Sequence, residues 1–210
     1  MSTITDRRAP ALRESPFRHV IVDDWAEPEL VRAADAEWPE PYWPHWHRYN
    51  NGKLATKDSL RHPPACAELI RRMLCLPVSE LLGIDGTFGD WHCHGGGLHA
   101  MPPGSSLGLH LDSDHHPLTG WVRACNAVLY VNPVWDEHWG GAFELWDAGG
   151  DHCVRQIAPR FNRLVLFEPS DCSWHSVAPV RGEESRKSLA VFFWRHGACP
   201  RRRTQAQFRE

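Results

Sequence analysis

The sequence predicts a mainly β protein of sandwich or jelly-roll type, braced by helices near its N-terminal end. Three observations lead there. From Asp90 onward, short apolar runs alternate with Gly, Pro and Asp turns, the pattern of an antiparallel all-β domain. Before Asp90, two stretches carry apolar residues at helical spacing. At 210 residues and 42% hydrophobic content the chain can bury one sizeable core, and it shows no internal repeat and no linker.

In chain order, residues 1–15 are polar, contain Pro10 and are expected to be flexible. Residues 17–23 alternate and predict a first strand. Residues 27–38 have Pro28 at the start and acids in the first turn, which predicts a helix. Pro39, Pro41 and Pro44 end it and open an aromatic loop over 42–49. Residues 64–82 carry Cys66, Leu69, Ile70, Met73 and Leu74 at helical spacing, then Val78, Leu81 and Leu82 beyond Pro77, so two helices broken at the proline are expected. The reading is of one domain over 16–198: mostly helical support over 16–89 and a jelly-roll core over 90–198. Residues 199–210, with Arg201, Arg202 and Arg203, form a polar basic tail. Trp43, Trp46 and Tyr49, with Arg48 and Lys53, make a candidate lid over 41–54.

Composition narrows the function classes. A formal net charge of −3 gives no basic footprint for nucleic acid. No apolar run approaches the roughly 18 residues of a membrane span, and residues 1–8 lack the apolar stretch of a secretory signal. Seven cysteines without a Cys-x-x-Cys pair argue against a disulfide framework or a zinc ribbon. A reducing, cytoplasmic setting is the expectation.

The chemistry gathers at Gly108-Leu109-His110-Leu111-Asp112 and Ser173-Trp174-His175-Ser176-Val177. Leu107, Leu109 and Leu111 alternate, which predicts a strand with His110 and Asp112 on one face and the leucines on the other. Two imidazoles and a carboxylate suit ferrous iron, held on one face with the opposite face open for oxygen. Of fourteen histidines only His110 has a carboxylate two residues on. Alone, that pair equally describes a buried histidine oriented by an aspartate. Downstream, residues 162–167 predict a strand ending at Glu168-Pro169-Ser170-Asp171, so His175 opens the next extended segment. Residues 186–194 form another apolar strand in which Arg186 and Ser188 share a face, a fork suited to a carboxylate.

With these residues in view, the chain resembles the 2-oxoglutarate and Fe(II)-dependent dioxygenases, in their prolyl 4-hydroxylase-like branch. The matching pieces occur in family order. They are Gly95-Gly96-Gly97-Leu98-His99, His110-Leu111-Asp112, Asn126-Ala127-Val128-Leu129-Tyr130-Val131-Asn132 with Trp135, Gly140-Gly141-Ala142-Phe143, Ile157-Ala158-Pro159, His175-Ser176-Val177 and Arg186-Lys187-Ser188-Leu189.

The resemblance implies a double-stranded β-helix, iron bound by His110, Asp112 and His175, and 2-oxoglutarate anchored by Arg186. Ser188, Tyr130 and Asn126 support the anchor. Met101 stands where many relatives have a tyrosine on the co-substrate, and His99 is a candidate substitute. Arg186 lies eleven residues after His175, where the family spacing is nearer ten, which leaves the adjacent Lys187 as the competing anchor. The implied activity is hydroxylation of an unactivated C–H bond of a small molecule or peptidyl residue, using Fe(II), 2-oxoglutarate and O2, releasing succinate and CO2, with ascorbate a candidate reductant. Neither a nucleic-acid nor a membrane partner is expected.

Two other readings stand beside it. One is a non-catalytic metal-binding or oxygen-sensing jelly-roll module. The other is a cupin-type metal enzyme using His92 and His94 without 2-oxoglutarate. The pairs His45/His47 and His115/His116 read as structural or substrate-facing.

Overall fold

The computed structural model describes residues 10–56, 58–197 and 203–209. Two sheets face one another. The larger runs in the order β1 (His19–Val22), β10 (Leu164–Phe167), β7 (Val122–Tyr130), β12 (Arg186–Arg195), β5 (Gly97–Met101), β3 (Leu54–Thr56) and β2 (Trp46–Arg48), with β4 (Phe88–Gly89) on the far end of β12. The smaller runs β13 (Gln207–Phe208), β6 (Leu107–Leu111), β11 (His175–Val177), β8 (Phe143–Trp146) and β9 (Cys153–Ile157). Every pairing between these strands is antiparallel. This is the jelly roll that the sequence predicts.

The large sheet is apolar on both faces. Its outer face is covered by α1 (Pro28–Ala36), α2 (Pro64–Met73) and α3 (Val78–Leu82). In α2 the buried residues are Ala65, Cys66, Leu69, Ile70 and Met73, one stripe at i, i+3 and i+4 spacing. Val31 and Ala34 of α1 meet that stripe, with Cys66 Sγ 3.6 Å from the Ala34 carbonyl. The free N-terminus of α2 is capped from outside, since the Glu37 carboxylate accepts from Ala65 N at 2.8 Å. Pro77 separates α2 from α3 as the sequence predicts.

A second, smaller apolar cluster lies between the sheets, with Met101, Tyr130, Phe143, Leu145, Phe167 and Val177 among its members. It lines the inside of the roll. One strand, β7, therefore separates two environments. Cys125, Ala127 and Leu129 face the helices, while Asn126, Val128 and Tyr130 face the interior.

Four expectations are corrected. The proline-rich aromatic segment over 41–54 contains a hairpin, β2–β3, that extends the large sheet. Helices still make up most of the regular structure over 16–89, with α1, α2 and α3 outweighing its short strands. Trp43 and Trp46 pack into the core, Trp46 with its Nε1 on the Glu40 carbonyl at 3.0 Å, which removes both tryptophans from a lid. The polar tail is docked: β13 pairs with β6, and Arg203 donates to the Asp112 carbonyl at 3.2 Å and to Asp171 at 2.5 Å. Arg201 and Arg202 lie outside the described residues. Of the N-terminal 1–15, residues 1–9 also lie outside them, and Arg13 is paired with His19 through two 2.9 Å backbone bonds.

Leu129 is fully buried at the centre of the large sheet, bonded on both sides to β10 and β12. Leu129→Ala should lower unfolding free energy by about 2–5 kcal/mol, read as a lower urea midpoint with unchanged m-value.

Candidate metal centre and anion anchor

β6 and β11 are neighbours, and their register sets His110 directly opposite His175. The two imidazole centroids are 4.2 Å apart. Each ring is fixed in the same way. His110 Nδ1 lies 2.8 Å from the Gly108 carbonyl, and His175 Nδ1 lies 2.8 Å from the Ser173 carbonyl. A carbonyl only accepts, so each Nδ1 carries the proton and each Nε2 is left with a lone pair. Burial pushes the His110 imidazole below its ordinary pKa, and the facing His175 adds to this, keeping that ring neutral.

Asp112 lies just past the end of β6. Its Oδ1 is 3.6 Å from His110 Nε2 and its Oδ2 is 3.5 Å from His175 Nε2. Two bare nitrogens and a carboxylate thus face a common point with no proton to share. Among the described residues, these three form the one group of three or more metal-ligand side chains, all donor atoms within 4.8 Å. Mutually repelling lone pairs held this close are satisfied by a cation. The donor set, two imidazoles and one carboxylate, fits ferrous iron.

Asp112 is itself held. Asn126 Nδ2 donates to its Oδ2 at 2.5 Å, and Arg123 Nη1 stands 3.9 Å from the same oxygen. Arg123 lies over the Phe192 ring at 4.0 Å. Asn126 therefore holds Asp112 while lining the same cavity as Arg186. The expected face of Leu107 is corrected: a register shift between His175 and Val177 turns it into the cavity rather than away with the other leucines.

At the other end of a cavity of about 120 Å³ lies Arg186, 4% exposed. Its Nη2 donates to Tyr130 Oη at 3.1 Å, its Nη1 is 3.8 Å from Met101 Sδ, and its Nε is buried without a partner. No carboxylate lies within ion-pair distance among the described residues. A buried guanidinium in that state calls for an anion, and 2-oxoglutarate's distal carboxylate fits it. Lys187 projects to the opposite face, where its Nζ bonds Asp35 at 2.7 Å. Of the two cations, Arg186 is the one that lines the cavity. Ser188 and His99 line the same cavity. His99 Nε2 is 3.1 Å from the Gly95 carbonyl, so Nδ1 is left as an acceptor, which suits no carboxylate.

Gly141 has φ +67 and sits where a Cβ would be 3.1 Å from Arg186 Cδ, so the stem of the anchor needs glycine there. Between the two ends, Leu107, Val128, Phe143, Phe167, Val177 and Phe192 make an apolar wall. The cavity shares Lys53, Leu107, His110 and Asp112 with an outer one of about 550 Å³, bounded also by Tyr49 and Phe208. Phe208 stacks on the His110 ring at 5.1 Å.

His92 and His94 lie elsewhere, in a side cavity with His62, His116 and Trp121, and their backbone N–H groups bond Asp90. His45 packs on Trp43, His47 on Tyr49, and His115 Nδ1 lies 2.5 Å from Asp114. None of these joins the three-residue group. Of the candidate lid residues, Tyr49 and Lys53 do border the cavity, while sequence reasoning missed Arg123 and Phe208. Arg123 is displaced from the period-2 face of β7 by the irregularity opposite Phe193 and Trp194, and Phe208 reaches the site from a terminal strand.

A profile of the 2OG-Fe(II) oxygenase superfamily matches residues 96–194. The chain is similar to prolyl 3-hydroxylase OGFOD1 of Mus musculus, 38% identical over 73 residues, which cover 32% of this chain and 13% of that protein. The match thus spans about an eighth of that curated relative's length. Among solved structures, a Pseudomonas putida prolyl-4-hydroxylase superposes with TM-score 0.62 at 24% identity, over 85% of this chain and 93% of that one. A Trichoplax adhaerens prolyl hydroxylase, solved with a hypoxia inducible factor peptide fragment, gives 0.60 at 16% identity, over 84% and 83%. These two likenesses show the fold.

Removing the Asn126 amide should loosen the metal. Asn126→Leu is expected to weaken Fe(II) or Mn(II) affinity about 10–100-fold, measured by anaerobic metal titration, with circular dichroism unchanged. Arg186→Ala should weaken 2-oxoglutarate binding by about 10–100-fold, the value of a charged hydrogen-bond pair. Lys187→Ala should leave it unchanged in the same calorimetric titration.

Proposed function

We propose, supported by the match of residues 96–194 to the 2OG-Fe(II) oxygenase superfamily profile, that the protein is an Fe(II)- and 2-oxoglutarate-dependent dioxygenase of prolyl-hydroxylase type. It hydroxylates an unactivated C–H bond of a small molecule or peptidyl residue and releases succinate and CO2. The observation that carries this is the pairing of the His110–Asp112–His175 group with a buried Arg186 that has no carboxylate partner among the described residues, across one small cavity. A metal-binding or sensing module needs the first feature and not the second. A cupin-type enzyme needs neither Arg186 nor His175.

In this reading His110, Asp112 and His175 hold the iron and Arg186 holds the distal carboxylate of 2-oxoglutarate. When bound, the iron would activate O2, the oxidant, with 2-oxoglutarate supplying two electrons as it is decarboxylated to succinate and the substrate C–H bond the other two. Everything else is positioning by the chain. The two Nδ1–H bonds keep the imidazoles from turning. Asn126 keeps one Asp112 oxygen occupied, so the carboxylate presents the other. Tyr130 accepts from Arg186 and so keeps its own hydroxyl proton free to donate toward the same anion. The apolar wall excludes water from the reacting carbon. Ascorbate as a supporting reductant and a reducing, cytoplasmic setting belong to the same proposal, both supported by the need to keep iron ferrous.

Prolyl peptides head the substrate list, because the curated relative and both solved structures named above are prolyl hydroxylases. Under air, purified protein with Fe(II) and 2-oxoglutarate should release succinate. His175→Ala, or wild type with the iron chelated, should fall to the buffer background. Equal rates in wild type and His175→Ala would sink the proposal.

A further inference from the structure

The reaction cavity holds more positive charge than its co-substrate uses. Lys53 and Arg186 line it, Arg123 borders it, and Asp112 is its one lining carboxylate. Arg123 is accounted for, lying beside Asp112 and on the Phe192 ring, with the charges of Asp114 and Asp90 also in its field. Arg186 is placed for 2-oxoglutarate. Lys53 is left over. Among the described residues no carboxylate lies within 4.0 Å of its ammonium, and its recorded contact is the Tyr49 ring at 5.6 Å. Burial pushes its pKa down to about 8, the charge on Asp112 acts the other way, and the charges on Arg186 and Arg123 lower it further.

Lys53 is not loose. Tyr49 N bonds the Lys53 carbonyl at 2.9 Å and Gly52 N bonds the Tyr49 carbonyl at 3.0 Å, with Gly52 at φ +83. Asn51 ties this turn together, accepting from Lys53 N at 3.2 Å and donating to the Ser106 carbonyl at 2.9 Å. The side chain lines both the inner cavity and the outer one, so it stands where an incoming molecule crosses between them. Lys53 is half-buried, with no carboxylate within 4.0 Å of its ammonium among the described residues, so a ligand that brings the opposite charge would complement it. Ferrous ion and dianionic 2-oxoglutarate cancel each other, so their binding leaves the imbalance in place. A single ammonium matches a monoanion, whereas a phosphate is better met by a guanidinium fork or a nest of backbone N–H groups.

We propose, resting on the dioxygenase reading above, that Lys53 binds a carboxylate of the substrate, so that the protein acts on carboxylate-bearing molecules. The cavity is small, so this carboxylate lies a few bonds from the hydroxylated carbon. A free amino acid and an acidic residue next to the target in a peptide both offer that group.

The test uses protein loaded with Zn(II), which is redox-inert, and 2-oxoglutarate, titrated calorimetrically with two matched pairs. These are L-proline against L-prolinamide, and acetylated, amidated Asp-Pro against Asn-Pro. The acid of one pair should bind wild type about tenfold tighter than its amide, as a charge-assisted hydrogen bond gives. Lys53→Gln should erase the difference and Lys53→Arg should keep part of it, while 2-oxoglutarate affinity stays within about twofold in both. Preference within the first pair assigns a free acid, and within the second a peptide. Equal binding of acid and amide in both pairs overturns the inference. So does a Lys53→Gln variant that keeps the preference, or that loses 2-oxoglutarate instead. Succinate release by wild type and not by His175→Ala would stand through any of these failures, which separates them from failure of the dioxygenase reading.

Discussion

The register between β6 and β11 is the constraint on which the site depends. It sets His110 across from His175, and in each strand a carbonyl two residues earlier takes the Nδ1 proton. Cross-strand pairing fixes the separation of the two rings, and the local hydrogen bonds fix their tautomer and rotation. A slip of one residue would turn His110 out of the cavity and bring Leu109 or Leu111 in. Because both strands lie inside a sheet flanked by β13 and β8, neither can slide without breaking pairing on both sides.

The opposite wall supplies the rest through one strand. β7 places Asn126 on the metal's carboxylate and Tyr130 on Arg186, four residues and two face-sharing steps apart. The distance between metal end and anion end is thus written into a strand whose other face, Cys125, Ala127 and Leu129, is sealed under the helices. Preorganisation of this kind is what a site for a chelating co-substrate needs, since little remains to be ordered when the ligand arrives. The helices take no part in the chemistry. They hold the strand that does the spacing.

What the sequence reveals follows from period two. His110 with Asp112 and Arg186 with Ser188 were legible because strand alternation places each pair on one face, while Asn126 and Tyr130 came from the family resemblance. The two helices on either side of Pro77 were legible from spacing. Where alternation breaks, legibility fails. The irregularity between β6 and β11 brings Leu107 into the cavity against its expected face, and the one opposite Phe193 and Trp194 brings in Arg123. Arg186 and Lys187 could not be separated by counting from His175. They are separated by face, because the neighbouring position points to Asp35. The β2–β3 hairpin was hidden by prolines and aromatics that read as loop, and β13 by a tail whose residues carry no apolar pattern.

The division between core and rim explains why chemistry was easier to read than substrate. The segment matched by the superfamily profile, 96–194, contains all three proposed metal ligands, Arg186, Tyr130 and Asn126. The side chains that narrow the mouth do not belong to it. Lys53 and Tyr49 come from a turn forty residues upstream, and Phe208 from a terminal strand added to the edge of β6. A fold can keep its ligands and co-substrate anchor fixed while such additions vary, since neither the turn nor the edge strand carries the register that aligns the histidines. Selectivity is then set by two pieces that meet only in the folded state, one bringing an unpaired ammonium and the other an aromatic ring on the metal's own imidazole. Similarity over the core therefore supports the proposed iron, 2-oxoglutarate and reaction type, and in that proposal the charge at the rim bears on what is hydroxylated.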